Sequence, residues 1–233
     1  MNKVISVLPV YRVNDREKDS QFFCQILGMK VLLEEGPMAY LGGHEGKVAR
    51  LILEESHAPS LGSKDEIKKN SLTCIHIKDS ELKQILHNQK ISEDSSSFDF
   101  CLSDGNLFRV ISQEIDSQKG EQTIKEGQKV LLSDFSVTSL SFNFSKENSL
   151  SKSLEILKSE GLVVENINFN YSEQKASNIK LSWDFEALKF QVSEMVNFKK
   201  LQEKFSNFST YLDSRNKLLM IELPEGIELW FEK

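Results

Sequence analysis

Cys74 and His76 are the residues of this sequence whose types and spacing could support nucleophilic chemistry. They stand two apart in the run LTCIHIK at 72–78, whose alternation is typical of a strand, so both side chains would lie on one face. A thiol beside an imidazole is the arrangement that cysteine-histidine enzymes use. A small buried thiol and a structural histidine fit the same residues, and both interpretations stay open.

Other catalytic and metal-binding motifs are missing from the sequence. It contains neither G-x-S-x-G nor H-E-x-x-H, the spacings of the serine-hydrolase elbow and of the zinc-protease helix. Cys24, Cys74 and Cys101 are an odd number without C-x-x-C spacing. That usage fits a reducing compartment and predicts neither a disulfide framework nor a zinc site. We therefore expect no cofactor.

Composition excludes several classes of partner. The net charge is -6, with 29 Lys and Arg mixed among 35 Asp and Glu, so we expect no nucleic-acid partner. No apolar run approaches the roughly 20 residues that a membrane-spanning helix needs. Charged residues follow the short apolar run at 4–10 without a small-residue cleavage site, which predicts a cytoplasmic protein without a signal peptide.

The elements that must position these residues follow a repeated order. A strand over 4–13 precedes a helix that Asn14 or Asp15 would cap and Gly28 would end, and three strand-like runs follow at 29–35, 37–42 and 47–55. This β-α-β-β-β order recurs, in weaker form, from residues 72, 137 and 187. In the third repeat, strands are predicted at 162–169 and 178–183.

A polar stretch divides the four repeats into two pairs. Residues 116–129 contain Gly120 and Gly127 and have no apolar periodicity, which predicts a linker. We therefore expect an N-terminal domain at 1–115 and a C-terminal domain at 130–233, each of ordinary domain size.

Several of these segments resemble a known superfamily. The residues LPVYRVND at 8–15 and FFCQILGMKV at 22–31, with the closing turns SDGNLF at 103–108 and LPEGIELW at 223–230, are similar to the modules of glyoxalase and bleomycin-resistance proteins, the vicinal oxygen chelate superfamily. The resemblance implies an α+β fold of tandem βαβββ modules that form two glyoxalase-like half-barrel domains. Four modules in one chain also predict a monomer.

A narrower resemblance concerns RVNDR at 12–16 and LEESH at 53–57, which are similar to the streptococcal CppA proteins. That family is described as a complement C3-degrading proteinase, so the resemblance implies host complement C3 as a partner. It carries no active-site motif to transfer.

The superfamily resemblance also implies where a metal would be held, on four strands that face the inside of a half-barrel. The matching positions here are Leu8, Leu53, Cys74 and Arg109, and the closing strand of the C-terminal domain has Trp230. Aliphatic side chains cannot bind a cation and an arginine repels one. We therefore expect no metal site there.

Strand parity predicts which residues line the half-barrel instead. Residues two apart share a face, so Arg12, Glu55, Cys74, His76 and Arg109 are predicted to converge in the N-terminal domain. Two arginines and a histidine suit a small anionic ligand such as a carboxylate or a phosphate. A structural bridge between Arg109 and Glu55 is the alternative interpretation.

Three functions remain open on the sequence alone: a metal-free protein that binds a small anionic molecule, a C3-degrading proteinase, and a protein-interaction module. The first fits the residues best. Whether the chain is an enzyme stays undecided, because no catalytic motif is visible.

Overall fold

The computed structural model describes residues 2–57, 66–92, 94–113, 129–176, 179–180 and 182–233. The described elements fall into four modules that each begin with a strand and a helix. The first module consists of β1 (Val4–Val13), α1 (Arg16–Gln25), β2 (Lys30–Glu35), β3 (Met38–Gly42) and β4 (Ala49–Glu55). The second consists of β5 (Asn70–Lys78), α2 (Asp79–Asn88), β6 (Ser97–Cys101) and β7 (Leu107–Gln113). The third consists of β8 (Ser136–Phe142), α3 (Ser149–Ser159) and β9 (Asn168–Tyr171), and the fourth of β10 (Phe185–Val192), α4 (Phe198–Lys204), β11 (Ser209–Leu212), β12 (Leu218–Glu222) and β13 (Glu228–Glu232).

The third module departs from the sequence expectation. Only the end of the strand predicted over 162–169 is formed, as β9, and the described residues among 178–183 form turns and bends. The carbonyl of Ile179 packs against Gly226 so closely that a Cβ there would clash, and Gly226 has φ +68°. Ile179 therefore packs on the turn before β13, and the described residues of this segment add no strand to a sheet.

The local signals for the other elements are confirmed. Asp15 caps α1, since its side chain accepts a hydrogen bond from the backbone N–H of Lys18 at 2.9 Å. Gly28 adopts φ +76° after the helix, and a Cβ there would collide with the backbone of Val130. No helix among the described residues has both the length and the apolar character that crossing a bilayer requires.

The strands form two sheets, and each sheet combines modules from both halves of the chain. The eight-stranded sheet has the order β11-β12-β13-β10-β1-β4-β3-β2, and the five-stranded sheet the order β6-β7-β5-β8-β9. The α+β class and the tandem modules are confirmed. The expectation that each half of the chain closes its own half-barrel is wrong, because the first module pairs with the fourth and the second with the third.

The reason lies in the first strand of each module. Within the first module β1 pairs only with β4, which leaves its other edge free for any further strand. That edge is taken by β10, antiparallel, from Val4 to Tyr11. Nothing in the local pattern of an isolated module selects this partner. The predicted linker at 116–129 lies almost wholly outside the described residues, so the division of the chain there stays a prediction.

An apolar core fills the space between the two sheets. The ring of Tyr11 on β1 lies 5.0 Å from that of Phe108 on β7 and 5.3 Å from that of Phe185 on β10, between centroids. The Tyr11 hydroxyl hydrogen-bonds to Thr73 on β5 and donates to Asn70 Oδ1 at 3.4 Å. The sheets are therefore joined by direct contact and share one core.

We expect Phe108→Ala to lower the free energy of unfolding by about 3–5 kcal/mol, because it removes a fully buried ring at the contact of the two sheets. Urea unfolding followed by circular dichroism measures this change. Leu107→Ala, at the exposed neighbour on the same strand, is the control and should change stability by less than about 0.5 kcal/mol. Equal effects of the two substitutions would contradict this core.

Candidate ligand-binding site on the eight-stranded sheet

The predicted site residues do not all come together. Arg12 lies on the eight-stranded sheet, while Cys74, His76 and Arg109 lie on the five-stranded sheet. Tyr11 and Thr73 point toward each other across the core. The residues that follow them, Arg12 and Cys74, therefore point away from each other on the outer faces of the two sheets. The predicted convergence of Arg12 with Cys74, His76 and Arg109 is wrong.

Glu55 does not lie beside Arg12, where strand parity predicted it. Leu51 and Leu53 are fully buried in the core between the sheets, and Glu55 has the same parity. The residue beside Arg12 is Glu54, its register partner on the parallel strand β4. Apolar residues at 51, 52 and 53 hide the alternation of this strand in the sequence. Strand parity therefore predicts Glu55 beside Arg12, where the structure has Glu54.

We call the outer side of the eight-stranded sheet the Arg12 face. Its floor is a second, smaller set of buried apolar side chains: Leu8, Val10, Tyr40, Ile52, Ala187 and Trp230. Leu8 and Trp230 occupy positions at which the superfamily resemblance implied metal ligands. In the part of the chain that the structure describes, no group of three or more His, Cys, Asp or Glu could hold a metal ion.

Arg12 is the centre of an ion cluster at one end of this floor. Its Nη2 lies 2.6 Å from Glu186 Oε1 and 3.8 Å from Glu54 Oε2. The guanidinium side chain is 33% exposed, whereas the Glu54 and Glu186 side chains are 16% and 12% exposed. The Arg12 group is therefore the part of the cluster that solvent reaches most easily.

Glu186 reaches Arg12 because of a β-bulge in β10. Val10 pairs with Ala187 and Tyr11 with Phe185, so Glu186 is an extra residue between two register pairs. A bulge of this kind redirects a side chain that regular alternation would place elsewhere. Sequence analysis missed Glu186, and no residue type at 184–187 signals a bulge.

The cluster holds more carboxylates than cations. Burial raises the pKa of Glu186 to about 7, and the negative charges of Glu228 and Glu54 add to this rise. The positive charges of Arg12 and Lys69 oppose it. Burial also raises the pKa of Glu54, which Arg12 opposes. The Oε2 atom of Glu54 is buried and has no hydrogen-bond partner. We call Arg12, Lys69, Glu54, Glu186 and Glu228 the Arg12 cluster.

Lys69 and Asp184 anchor the cluster to the five-stranded sheet. The Lys69 ammonium donates to the carbonyl of Gly226 at 2.7 Å, and burial lowers its pKa. The Asp184 carboxylate accepts from the backbone N–H of Lys69 at 2.6 Å, while the Asp184 carbonyl accepts from the N–H of Arg12 at 2.9 Å. The residues that enter β5 and β10 are thus held together beneath Arg12.

The opposite end of the floor carries a second ion pair. Lys189 Nζ lies 2.9 Å from Glu232 Oε2 and donates to the Tyr40 hydroxyl at 3.0 Å. Burial by itself lowers the pKa of Lys189, but the bonds to Glu232 and Tyr40 outweigh burial and raise it. Lys189 is the register partner of Leu8 on β1, the strand that carries Arg12. This pair is separated by two register pairs from the bulge at Glu186.

The outer side of the five-stranded sheet keeps the other three predicted residues together. Arg109 makes two hydrogen bonds with Asp99, at 2.8 and 2.6 Å, on the surface. Cys74 is the register partner of Arg109. Burial raises the pKa of the Cys74 thiol and lowers that of His76, so both groups are neutral near pH 7. This is not the thiolate that a cysteine nucleophile requires.

Comparisons with known proteins give two family matches and several similar folds. The model of the CppA N-terminal family matches residues 6–118, and that of the CppA C-terminal family matches residues 132–231. A search of curated proteins found no match.

Among solved structures, the cppA protein from Streptococcus pneumoniae TIGR4 is similar with a TM-score of 0.73 and 22% identity, over 99% of this chain and 98% of that one. A putative dioxygenase from Bacillus subtilis subsp. subtilis str. 168 has a TM-score of 0.59 and 11% identity, over 100% and 86%. Glyoxalase I from Zea mays has a TM-score of 0.53 and 13% identity, over 98% and 92%. At these identities the likenesses establish the glyoxalase-like fold alone.

The raised pKa of Glu186 predicts how stability depends on pH. A carboxyl group whose pKa is about 7 when folded and about 4.3 when unfolded binds more protons in the folded state between these values. Stability should therefore fall as pH rises from about 4.5 to about 7. Glu186→Gln should make this fall shallower, with a gain of roughly 4 kcal/mol at most at pH 8.

Urea unfolding at half-unit pH steps measures this effect. Glu35→Gln, at an exposed position on β2, is the control and should follow the wild-type profile. Identical profiles for wild type and Glu186→Gln would show that Glu186 titrates normally.

Proposed function

We propose that this chain, which belongs to the CppA family, binds a small anionic ligand at Arg12. In this proposal it is a glyoxalase-like protein without the superfamily's metal site. The observation that carries the proposal is the pairing of a partly exposed guanidinium with a carboxyl group whose pKa is near neutrality. The ligand class follows from Arg12, since a guanidinium binds carboxylate, phosphate or sulfate through two parallel hydrogen bonds.

The Arg12 face suits binding better than metal chemistry. Its floor is apolar and buried, so a polar ligand would be oriented by the few charged groups at the edge, as in most small-molecule sites. Leu8 and Trp230 cannot activate a substrate oxygen as a metal ion does. The proposal therefore includes no chemical step.

Glu186 makes the binding of an anion compatible with the charges already present. With all groups ionised, the five residues of the Arg12 cluster carry a net charge of -1, and the buried Asp184 carboxylate beside Lys69 adds a further negative charge. Protonation of Glu186 removes one negative charge and frees Arg12 from its partner at 2.6 Å. A small anion can then take the place of the Glu186 carboxylate, and the neutral Glu186 acid can donate a hydrogen bond to it.

This mechanism predicts that binding takes up one proton above pH 7. Affinity for sulfate or acetate, whose charges are constant over the range, should fall up to about tenfold per pH unit above pH 7 and level off below it. Isothermal titration calorimetry in buffers of different ionisation enthalpy measures both the affinity and the proton uptake. Glu186→Gln should retain binding and lose its pH dependence.

Arg12 and Arg109 provide a matched pair of substitutions. Arg12→Ala should abolish the heat of binding, whereas Arg109→Ala, which removes an arginine on the other sheet, should leave it unchanged. Loss of binding in both variants, or in neither, would contradict a site at Arg12. Circular dichroism checks that both variants fold.

Degradation of complement C3, which the family resemblance implies, is a separate hypothesis that rests on Cys74 and His76. Their shared face supports it, but the neutral thiol does not. Incubation of the purified chain with C3 tests it, and cleavage that survives in Cys74→Ala would exclude this pair as the cause.

A further inference from the structure

Four buried oxygen atoms, two in α1 and two in the turn from β6 to β7, lack hydrogen-bond partners. They are Oδ2 of Asp19, Oγ of Ser20, Oδ2 of Asp104 and Oδ1 of Asn106. Each of these residues is more than nine-tenths buried, and Asn106 has no exposed surface. Buried polar atoms without partners are costly and rare in folded proteins, so this cluster calls for a partner of its own.

The packing of α1 places these residues against one another. Phe22 and Phe23 of α1 contact the ring of Phe100 on β6, at 5.1 and 5.6 Å between centroids. Asp19 lies three and four residues before them, on the same side of the helix. The turn that follows β6 is closed by the bond from the Leu102 N–H to the Asn106 carbonyl, at 2.9 Å.

Within the turn, the Asn106 amide orients one side of Asp104. Asn106 Nδ2 donates to Asp104 Oδ1 at 3.1 Å, which leaves Oδ2 of Asp104 for another partner. Burial raises the pKa of Asp19 to about 7, and the negative charge of Asp104 adds to this rise. The two buried carboxyl groups therefore repel each other, and Oδ2 of each lacks a hydrogen-bond donor.

In the related turn of the other half of the chain, one oxygen of the corresponding carboxylate has a backbone partner, although Oε2 of Glu225 is also buried without one. Before β13, Glu225 Oε1 accepts a hydrogen bond from the backbone N–H of Ser149 at 2.6 Å. Ser149 begins α3, so a helix amide provides the partner there. At the first helix, Asp19 adds a second carboxylate in place of a donor, and like charges that are buried together require a cation or a proton.

Lys68 does not fill this role. Its charge lowers the pKa of Asp104, which burial raises. Its ammonium, however, donates to the carbonyl of Trp183, and Oδ2 of Asp104 has no hydrogen-bond partner. Lys68 thus reduces the negative charge nearby without contacting the free oxygen.

We propose that Asp19, Asp104 and Asn106 form a buried binding site for a hard divalent cation, with Ca²⁺ preferred, and that Ser20 supplies a further oxygen. Carboxylate, amide and hydroxyl oxygens are ligands for Ca²⁺ and Mg²⁺, and the absence of nitrogen and sulfur from this set disfavours zinc. Ca²⁺ accepts six to eight oxygens in irregular geometry, whereas Mg²⁺ keeps several waters that a buried site cannot hold. The ion would join the first helix to the second module.

The test uses the full chain after treatment with EDTA and dialysis. Addition of CaCl₂ to about 100 times the dissociation constant should raise the Tm by about 5–10 °C, and MgCl₂ should raise it less. Equilibrium dialysis with radioactive calcium should give one ion per chain. Asp104→Asn keeps the shape of the side chain and should lose both responses, as should Asp19→Asn.

Asp99→Asn is the matched control, since Asp99 is an exposed acid on the strand before the turn, and it should keep the calcium response. A shared proton is the competing explanation. In that case Ca²⁺ changes neither the Tm nor the dialysis result, and both Asn variants are more stable than wild type above pH 7. That outcome would overturn the proposal.

Discussion

The contact of Tyr11 with the opposite sheet is the constraint on which the rest of this structure depends. Its ring is fully buried between Phe108 and Phe185, and its hydroxyl meets Thr73 on β5. Once this side chain points into the core, alternation along β1 places Arg12 on the outer face, and alternation along β5 does the same for Cys74 on the other sheet. The location of each candidate site follows from this one orientation.

An ion cluster lies at one end of the apolar floor that includes Leu8 and Trp230, two positions at which the superfamily resemblance implied metal ligands. Arg12 and Lys69 offset most of the charge of Glu54, Glu186 and Glu228, but the cost of burying these groups is visible in the raised pKa of Glu186, about 7. A buried ion pair of this kind contributes little net stability, because desolvation opposes the attraction. Apolar residues at the same positions would therefore stabilise the fold at least as well.

Local features of the fold could be predicted from the sequence, while long-range ones could not. The predicted first strand, 4–13, has the bounds of β1, and Asp15 caps α1 as expected. The choice of β10 as the partner of β1 depends on residues more than 170 positions apart, and no local pattern encodes it. For the site, Arg12 could be predicted because it shares the strand parity of Leu8 and Val10. Glu54 was missed because its strand is apolar on both faces, and Glu186 because a bulge has no sequence signature here.

The central claim is that Glu186 is the proton-linked partner of Arg12 and gives way to an anion. Carbon-13 NMR of the Glu186 carboxyl, assigned by comparison with Glu186→Gln, measures this most directly. The account predicts titration of Glu186 with a pKa of about 7 that rises when sulfate is added, because a bound anion disfavours the ionised acid. A pKa near that of an ordinary glutamate, about 4.3, unchanged by sulfate, would contradict it.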